Sequence, residues 1–213
     1  GSLRIRGSVD RVDVLEQDGQ QFVRVVDYKS GAKAFRLADI VNGLNLQMFL
    51  YLFNVCADGS NPYAGVPAGV LYMHAARSVM TVETKRSAEK DIAGQEDKAF
   101  GMNGIVITNP DCDIPAAMEH DLAGTYIPVR LKKSGVGGSL ASLEQLGLLQ
   151  RKIEALVADM GNALQNGQIG QHPVQAKDHD KTCEYCDFAS VCAFKKSVTP
   201  RTYDDQTDSA VLA

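Results

Sequence analysis

Two aspartates and a lysine near the start of the chain have the types and spacing of residues that bind a divalent cation. Asp10 lies in the segment GSVDRVD, and Asp27 and Lys29 lie in the segment VVDYKSG. Asp27 and Lys29 are two residues apart, so their side chains face the same side of a β-strand. Carboxylate oxygens are the ligands that Mg²⁺ prefers, and Mn²⁺ accepts them as well. The pattern predicts metal-assisted hydrolysis, in which the Lys29 ammonium helps to deprotonate a bound water or stabilises negative charge.

An Asp-x-Lys sequence is common, and its simplest interpretation is a strand that ends in exposed polar residues. A second pair of polar residues favours the functional interpretation here. Gln47 and Tyr51 are four residues apart, so on a helix they share one face. From that face they are candidates for holding a phosphate group or positioning Lys29. We therefore treat Gln47 and Tyr51 as part of the same candidate site.

A β-hairpin is predicted to bring the two aspartates together. Residues 3–15 alternate loosely between apolar and polar, and residues 22–28 are rich in β-branched and aromatic types. Between them, Asp18-Gly19 is a typical two-residue turn. Residues 44–56, which contain Gln47 and Tyr51, are too long and too apolar for a strand and are predicted to form a buried helix.

Further elements follow in an order that indicates an α/β domain around a mixed sheet. Residues 66–75, 105–108 and 126–131 read as strands, and residues 78–100 as a polar, mobile excursion. The clearest helix is predicted over residues 143–166. It is amphipathic, it begins with a Ser142–Gln145 capping box, and it ends at Gly167.

Three cysteines near the end of the chain form a second candidate site. Cys183, Cys186 and Cys192 have the spacing C-x2-C-x5-C, which is typical of thiolate ligands for a metal or cluster. His179 precedes Cys183 by four residues, so a structural zinc site with three cysteines and one histidine is an alternative. Plain, unligated cysteines are a further one.

Composition limits the class of protein without identifying its partners. The net charge is −4, which is no signature of nucleic-acid binding, but a local groove on an acidic protein can still bind DNA. Neither a membrane-length apolar run nor a signal peptide is visible. The odd number of cysteines argues against a disulfide framework. We expect a cytoplasmic protein with no membrane partner. We divide it into a core (residues 1–168), a cysteine segment (169–196) and a disordered tail (197–213).

Taken in order, the segments GSVDRVD, VVDYKSG and QMFLYL resemble the RecB-type branch of the PD-(D/E)xK nucleases. Within that branch the chain is similar to the C-terminal nuclease domain of the B subunit of AddAB-type helicase–nucleases. The resemblance extends through the segment YIPVRLKK, the long helix and the cysteine segment. It implies a restriction-endonuclease-like fold, a mixed central sheet flanked by helices.

The resemblance also implies roles for individual residues. Asp10, Asp27 and the Tyr28 carbonyl would bind Mg²⁺ or Mn²⁺, Lys29 would be the catalytic lysine, and Gln47 and Tyr51 the accessory motif. A further acidic or histidine ligand would come from an upstream helix. The three cysteines and a fourth, far upstream, would hold a [4Fe–4S] cluster in the full-length protein, which we expect to be absent from this fragment.

These implications lead to a functional prediction with alternatives. We expect an Mg²⁺-dependent DNA exonuclease domain that works with a helicase–nuclease partner subunit in double-strand break repair and recombination. One alternative is an inactive nuclease fold that binds DNA or a partner helicase subunit. Another is a stand-alone exonuclease of the CRISPR-associated type.

Overall fold

The computed structural model describes residues 4–31, 34–75, 99–177, 183, 186–192 and 200–213. The strands in these ranges are β1 Arg11–Gln17, β2 Gln20–Lys29, β3 Val66–His74, β4 Met102–Thr108, β5 Val129–Lys132, β6 Gly135–Gly138, β7 Leu140–Ser142, β8 Val174–Ala176 and β9 Arg201–Tyr203. The helices are α1 Leu37–Val41, α2 Gln47–Ala57, α3 Ile114–Met118, α4 Leu143–Gln165, α5 Ala189–Cys192 and α6 Asp208–Val211. The predicted excursion over residues 78–100 falls almost entirely outside the described residues.

Five of these strands form one mixed sheet in the order β1-β2-β3-β4-β7. The β1–β2 and β3–β4 pairs are antiparallel, and the β2–β3 and β4–β7 pairs are parallel. Helix α2 packs against β2 and β3, and α3 packs against β4. This is the mixed sheet with flanking helices that the sequence predicts.

The hairpin of β1 and β2 has the predicted turn. Its register runs from Arg11 opposite Val26 to Gln17 opposite Gln20. Asp18 and Gly19 both have positive φ values, 52° and 77°, which is the backbone of a type I′ turn whose twist matches that of the strands. Strand β1 begins only at Arg11, so the residues before it are not part of the ladder.

The two faces of β2 have different neighbours because successive side chains alternate. Phe22 and Val26 belong to a core cluster that also contains Ile114 of α3. Asp27 is paired in register with Tyr72 of β3, and the Tyr72 ring lies 6.2 Å from that of Phe35. The Phe35 ring also lies 6.2 Å from that of Phe49 on α2. Asp27 therefore faces the side of the sheet that α2 covers.

Contacts divide the chain differently from the three consecutive segments predicted. Residues 7–35 and 47–147 form one compact unit, here called the sheet unit. Residues 1–6, 36–46 and 148–213 form another, here called the terminal unit. The boundary within α4 follows Gly147. The sequence does not reveal this division, because the terminal unit is assembled from three stretches that are separated along the chain.

Residues 200–213 were expected to be disordered, and the structure contradicts this. Strand β9 pairs in parallel with β8. The Tyr203 hydroxyl donates a hydrogen bond of 2.5 Å to Asp39 Oδ1, and Asp208 Oδ1 accepts one from the Leu37 backbone at 2.8 Å. The polar tail residues thus find buried partners on and beside α1, which composition alone does not show. Residues 197–199 lie outside the described residues.

Helix α4 has the predicted start and stop. The Ser142 backbone donates to Gln145 Oε1 at 2.9 Å, and the Gln145 backbone donates to Ser142 Oγ at 3.2 Å, which together make a capping box. Gly167 follows the helix with a φ of 67°. No helix in the described part of the chain has both the length and the apolar character needed to cross a membrane.

Candidate active site

Asp10 lies just before β1 and Asp27 lies near the end of β2, so both are at the open end of the β1–β2 hairpin. Asp10 directly precedes Arg11, whose pairing with Val26 is the last of the ladder, so Asp10 lies just outside it. The Asp10 carboxylate reaches across to β2, where its Oδ2 accepts a hydrogen bond of 3.0 Å from the Tyr28 backbone N–H. Asp10 is exposed, whereas Asp27 is only 6% exposed.

Lys29 lies beside Asp27 on the same face of β2. Its Nζ is 2.5 Å from Asp27 Oδ2 and 5.5 Å from the centroid of the Tyr72 ring. An ammonium group over an aromatic face is attracted by the negative face of the ring. Two neighbours on adjacent strands therefore fix the position of the Lys29 head group.

The Asp27 carboxylate has the chemistry of a cation ligand. Its Oδ2 is buried, and the Lys29 ammonium 2.5 Å away is its partner among the described residues. A buried carboxylate is costly unless positive charge compensates it, and a bound cation would add to the compensation from Lys29. Within the described residues, no group of three or more His, Cys, Asp or Glu side chains is placed to hold a metal. The site thus supplies two carboxylates, with the Tyr28 carbonyl as the backbone oxygen between Asp27 and Lys29.

Gln47 and Tyr51 meet on the first turns of α2, as their spacing predicts. Gln47 Nε2 donates a hydrogen bond of 2.8 Å to Tyr51 Oη. The Tyr51 ring packs so closely on Gly7 that a Cβ atom at residue 7 would collide with its hydroxyl and ring carbons. Gly7 precedes Asp10 by three residues, so the accessory pair lies against the segment that leads into Asp10.

Asp13, the second aspartate of the GSVDRVD segment, is bonded to two arginines. Asp13 accepts hydrogen bonds of 2.7 Å from the Nε atoms of Arg11 and Arg24. Burial raises the pKa of the Asp13 carboxyl, but the two guanidinium groups lower it further, so that its net pKa is below the ordinary value. Asp13 pairs with Arg24, and both alternate with Asp27. They lie on the opposite face of the sheet from the candidate site.

Two contributors to the site were missed in the sequence. Gly7 was noted only as part of a motif, and its close approach to Tyr51 depends on how α2 packs. Tyr72 lies in an apolar strand and is distinguished there only by the register that sets it beside Asp27. The position of Tyr72 beside Asp27 follows from the parallel pairing of β2 with β3. The sequence does not reveal which strands are neighbours in the sheet, so this position could not be predicted.

The three cysteines lie in the terminal unit. Cys183 and Cys192 are half-buried and Cys186 is exposed. The Cys186 backbone donates to the Cys183 carbonyl at 3.4 Å, and Gln171 Nε2 donates to the Cys192 carbonyl at 2.5 Å. His179, the fourth ligand of the zinc alternative, lies outside the described residues.

The other two cysteines are in the sheet unit and have the environment of core thiols. Burial raises the pKa of Cys56 to about 11. Burial and nearby carboxylates also raise the pKa of Cys112, whose Sγ lies 3.1 Å from Gln17 Oε1. Raised thiol pKa values disfavour the thiolate that metals and clusters bind.

Comparison with known proteins relates the chain to nucleases. Residues 1–193 match the model of the PD-(D/E)XK nuclease superfamily. The chain is 32% identical over 223 aligned positions to the B subunit of the ATP-dependent helicase/deoxyribonuclease of Bacillus cereus, covering 99% of this chain and 19% of that protein. It is 30% identical over 212 positions to the B subunit of the ATP-dependent helicase/deoxyribonuclease of a Thermoanaerobacter species, covering 94% and 18%. The chain spans less than a fifth of the length of these relatives.

Proposed function

Because the chain belongs to the PD-(D/E)XK nuclease superfamily, we propose that it is a nuclease module that hydrolyses DNA phosphodiester bonds with the help of Mg²⁺ or Mn²⁺. The restriction-endonuclease-like sheet positions the residues that carry this proposal. The main support comes from two contacts at one end of the β1–β2 hairpin, that of Asp10 with the Tyr28 backbone and that of Lys29 with Asp27.

Asp10, Asp27 and the Tyr28 carbonyl are the proposed cation ligands. The burial of the Asp27 carboxylate supports this assignment, because a buried negative charge favours a compensating cation. When bound, the cation supplies Lewis-acid activation of the phosphate and of a water molecule. The hydrogen bond from the Tyr28 backbone orients the Asp10 carboxylate before any cation binds, which reduces the cost of assembling the site.

Lys29 has the proposed role of stabilising negative charge on the reacting phosphate. Its ammonium is partly exposed and is held between Asp27 and the Tyr72 ring, so that it donates hydrogen bonds from a fixed position. Preorganised donors of this kind are most effective where charge develops in the transition state. Gln47 and Tyr51 would contact a neighbouring phosphate through the amide and hydroxyl groups that now bond to each other.

The wider setting is proposed from the names of the relatives, each the B subunit of an ATP-dependent helicase/deoxyribonuclease. We infer that the chain is an exonuclease domain of such a subunit, and that it works beside a helicase–nuclease partner in double-strand break repair and recombination. Cys183, Cys186 and Cys192 would supply three ligands of a [4Fe–4S] cluster in the longer protein, with the zinc site as the alternative. Nearly the whole chain aligns with these B subunits, which makes a stand-alone CRISPR-associated exonuclease the less favoured alternative.

An inactive nuclease fold that only binds DNA or a partner protein is the second candidate function. The absence of a third acidic or histidine side chain beside Asp10 and Asp27, within the described residues, favours it. The two candidates differ in whether the wild-type chain cleaves DNA, and the proposed site further requires that this cleavage depend on Asp27.

The test compares Asp27→Asn with Asp18→Asn in this chain. Asp18 is an exposed turn residue at the far end of the same hairpin, so that its substitution makes the same charge change away from the site. We expect wild type and Asp18→Asn to degrade linear DNA with Mg²⁺ or Mn²⁺, and Asp27→Asn to lose more than about 100-fold of that rate. Near-full cleavage by Asp27→Asn would refute the proposed site, and no cleavage by wild type would favour the inactive module.

A further inference from the structure

The β5–β6 hairpin carries a local excess of positive charge on an acidic protein. The sequence from Leu122 to Leu143 contains no Asp or Glu, and its charged residues are Arg130, Lys132 and Lys133. All three side chains are exposed. Among the described residues none of them forms an ion pair, although six other ion pairs are present there. The three positive charges are therefore not neutralised within the described structure.

The register of the hairpin separates these charges from its apolar residues. Arg130 pairs with Gly137 and Lys132 pairs with Gly135, whereas Leu131 pairs with Val136. Paired residues share a face and successive residues alternate between faces. Arg130 and Lys132 therefore lie on one face of the hairpin, and their partners on β6 are both glycines. The Lys132 side chain lies across Gly137, where an added Cβ would be 3.3 Å from its Nζ. This cationic face has no bulky side chain on its β6 strand.

The hairpin is anchored along β5 and at its base, so the charges are held in a defined position. Val129 is buried, and the Leu131 backbone donates to the Leu122 carbonyl at 2.8 Å. At the base, beside Val129, the Ser139 backbone donates to the Pro128 carbonyl at 2.9 Å. Gly138 has a φ of 139° and approaches the Pro128 carbonyl more closely than a residue with a Cβ allows.

The segment that enters the hairpin is also tied down. Buried Glu119 accepts hydrogen bonds of 2.8–3.0 Å from the backbone N–H groups of Thr125, Tyr126 and Ile127. The Met102 backbone, in β4, donates to the Tyr126 carbonyl at 2.9 Å. An anchored hairpin loses less conformational entropy on binding than a mobile loop.

We propose that the cationic face of the β5–β6 hairpin, formed by Arg130 and Lys132 with Lys133 at the turn, binds backbone phosphates of the DNA substrate outside the hydrolytic site. Phosphate groups fit exposed cations that have no acidic partner among the described residues. The glycines of β6 leave room for the sugar–phosphate backbone of DNA to approach these cations. Such contacts position DNA without reading its sequence. The identity of the ligand as DNA rests on the proposed function.

The test measures binding of a fluorescently labelled DNA duplex with a single-stranded end, in EDTA so that no cleavage occurs. The variant Arg130→Gln/Lys132→Gln is compared with Arg151→Gln/Lys152→Gln, two exposed cations of α4, so that each loses one Arg and one Lys. A third variant, Arg130→Lys/Lys132→Arg, keeps the charge. Circular dichroism verifies the fold of each.

The hairpin Gln variant is expected to bind on the order of tenfold more weakly near 100 mM salt. Its plot of log affinity against log salt should be less steep by roughly 1.4–1.8, because each phosphate contact contributes about 0.7–0.9. The α4 variant and the charge-keeping variant should bind as wild type. Equal losses in both Gln variants, an unchanged hairpin variant, or no binding by wild type at roughly 50 mM salt would each overturn the inference.

Cleavage by the same proteins in Mg²⁺ separates this inference from the proposed function. If wild type cleaves DNA and the hairpin variant binds normally, the hairpin inference fails and the proposed function stands. If binding depends on the hairpin but wild type cleaves no DNA, the binding surface stands and the proposed function fails.

Discussion

The Asp10 carboxylate accepts a hydrogen bond of 3.0 Å from the backbone N–H of Tyr28, and this bond joins the segment before β1 to the end of β2. One carboxylate oxygen of Asp10 thus stabilises the open end of the hairpin, and the other oxygen takes no part in this hydrogen bond. The same side chain has both a structural contact and a proposed role in cation binding, and the two can be separated by substitution.

Asp10→Asn is expected to keep the fold and lose the activity, because an amide oxygen still accepts the Tyr28 hydrogen bond but ligates a hard cation poorly. DNA cleavage should fall by more than about 100-fold while DNA binding and the melting temperature stay near the wild-type values. Asp10→Ala should lose cleavage and also some stability, about 1 kcal/mol. Cleavage by Asp10→Asn close to the wild-type rate would show that this carboxylate does not act through a cation.

Gly7→Ala is expected to displace Tyr51, because the added methyl group would collide with the Tyr51 hydroxyl and ring. Overpacking of this kind costs about 1–3 kcal/mol, and cleavage should fall roughly tenfold if Tyr51 positions a phosphate. Gly59→Ala is the control, because nothing lies within 4 Å of a Cβ atom at that exposed position. The double substitution Gly7→Ala/Tyr51→Ala should be no worse than Tyr51→Ala alone. Additive losses in the double variant would place the effect of Gly7 elsewhere.

Glu119 is expected to make stability depend on pH in the acid range. Burial raises the pKa of its carboxyl, but four backbone N–H groups, from Gly124 to Ile127, lower it further, so the net pKa is below the ordinary value of 4.5. A carboxyl with a lowered folded-state pKa stabilises the fold above its unfolded pKa. That contribution is lost as the pH falls through the folded value.

Urea unfolding of wild type and Glu119→Gln measures this contribution. At pH 7 the variant should be less stable by roughly 1.5–3 kcal/mol, because bonds to a charged acceptor are lost. The difference should shrink as the pH is lowered below 4.5. Glu154→Gln is the control, because Glu154 is exposed and its carboxylate accepts a hydrogen bond from the Gln150 side chain. The difference in stability between this variant and wild type should not shrink in the same way as the pH is lowered. A difference that stays constant down to acid pH would contradict the assignment.

The sequence predicted the parts of this structure that local patterns specify. The Asp18-Gly19 turn, the Ser142–Gln145 cap and the Gly167 stop were all predicted, because each depends on residues close together in the chain. The start of α2 was predicted three residues too early, because Leu44 and Leu46 are apolar but precede the first helical turn.

Features that depend on tertiary contacts were not predictable. Tyr203 and Asp208 read as polar tail residues, yet Asp39 and the start of α1 give them partners. Asp10, Asp27 and Lys29 were predicted as a site from their type and spacing, and the structure places Asp10 against the Tyr28 backbone and Lys29 against Asp27. The position of Tyr72 over Lys29 follows only from the parallel pairing of β2 with β3.

The chain purified by itself is expected to contain no intact [4Fe–4S] cluster. The C-x2-C-x5-C segment supplies three thiolates, and a cluster with an open iron position is labile. Iron analysis and the visible absorption spectrum of freshly purified protein check this. Stoichiometric iron would contradict the prediction, and stoichiometric zinc that is lost in His179→Ala would favour the zinc alternative.

The central claim is that Asp10 and Asp27 bind one divalent cation, and a crystal soaked in Mn²⁺ tests it most directly through anomalous scattering. We predict a Mn²⁺ peak with one oxygen of each carboxylate about 2.0–2.6 Å away, present in wild type and absent in Asp27→Asn. A crystal with no peak between the two carboxylates, or with an equal peak in Asp27→Asn, would contradict the account.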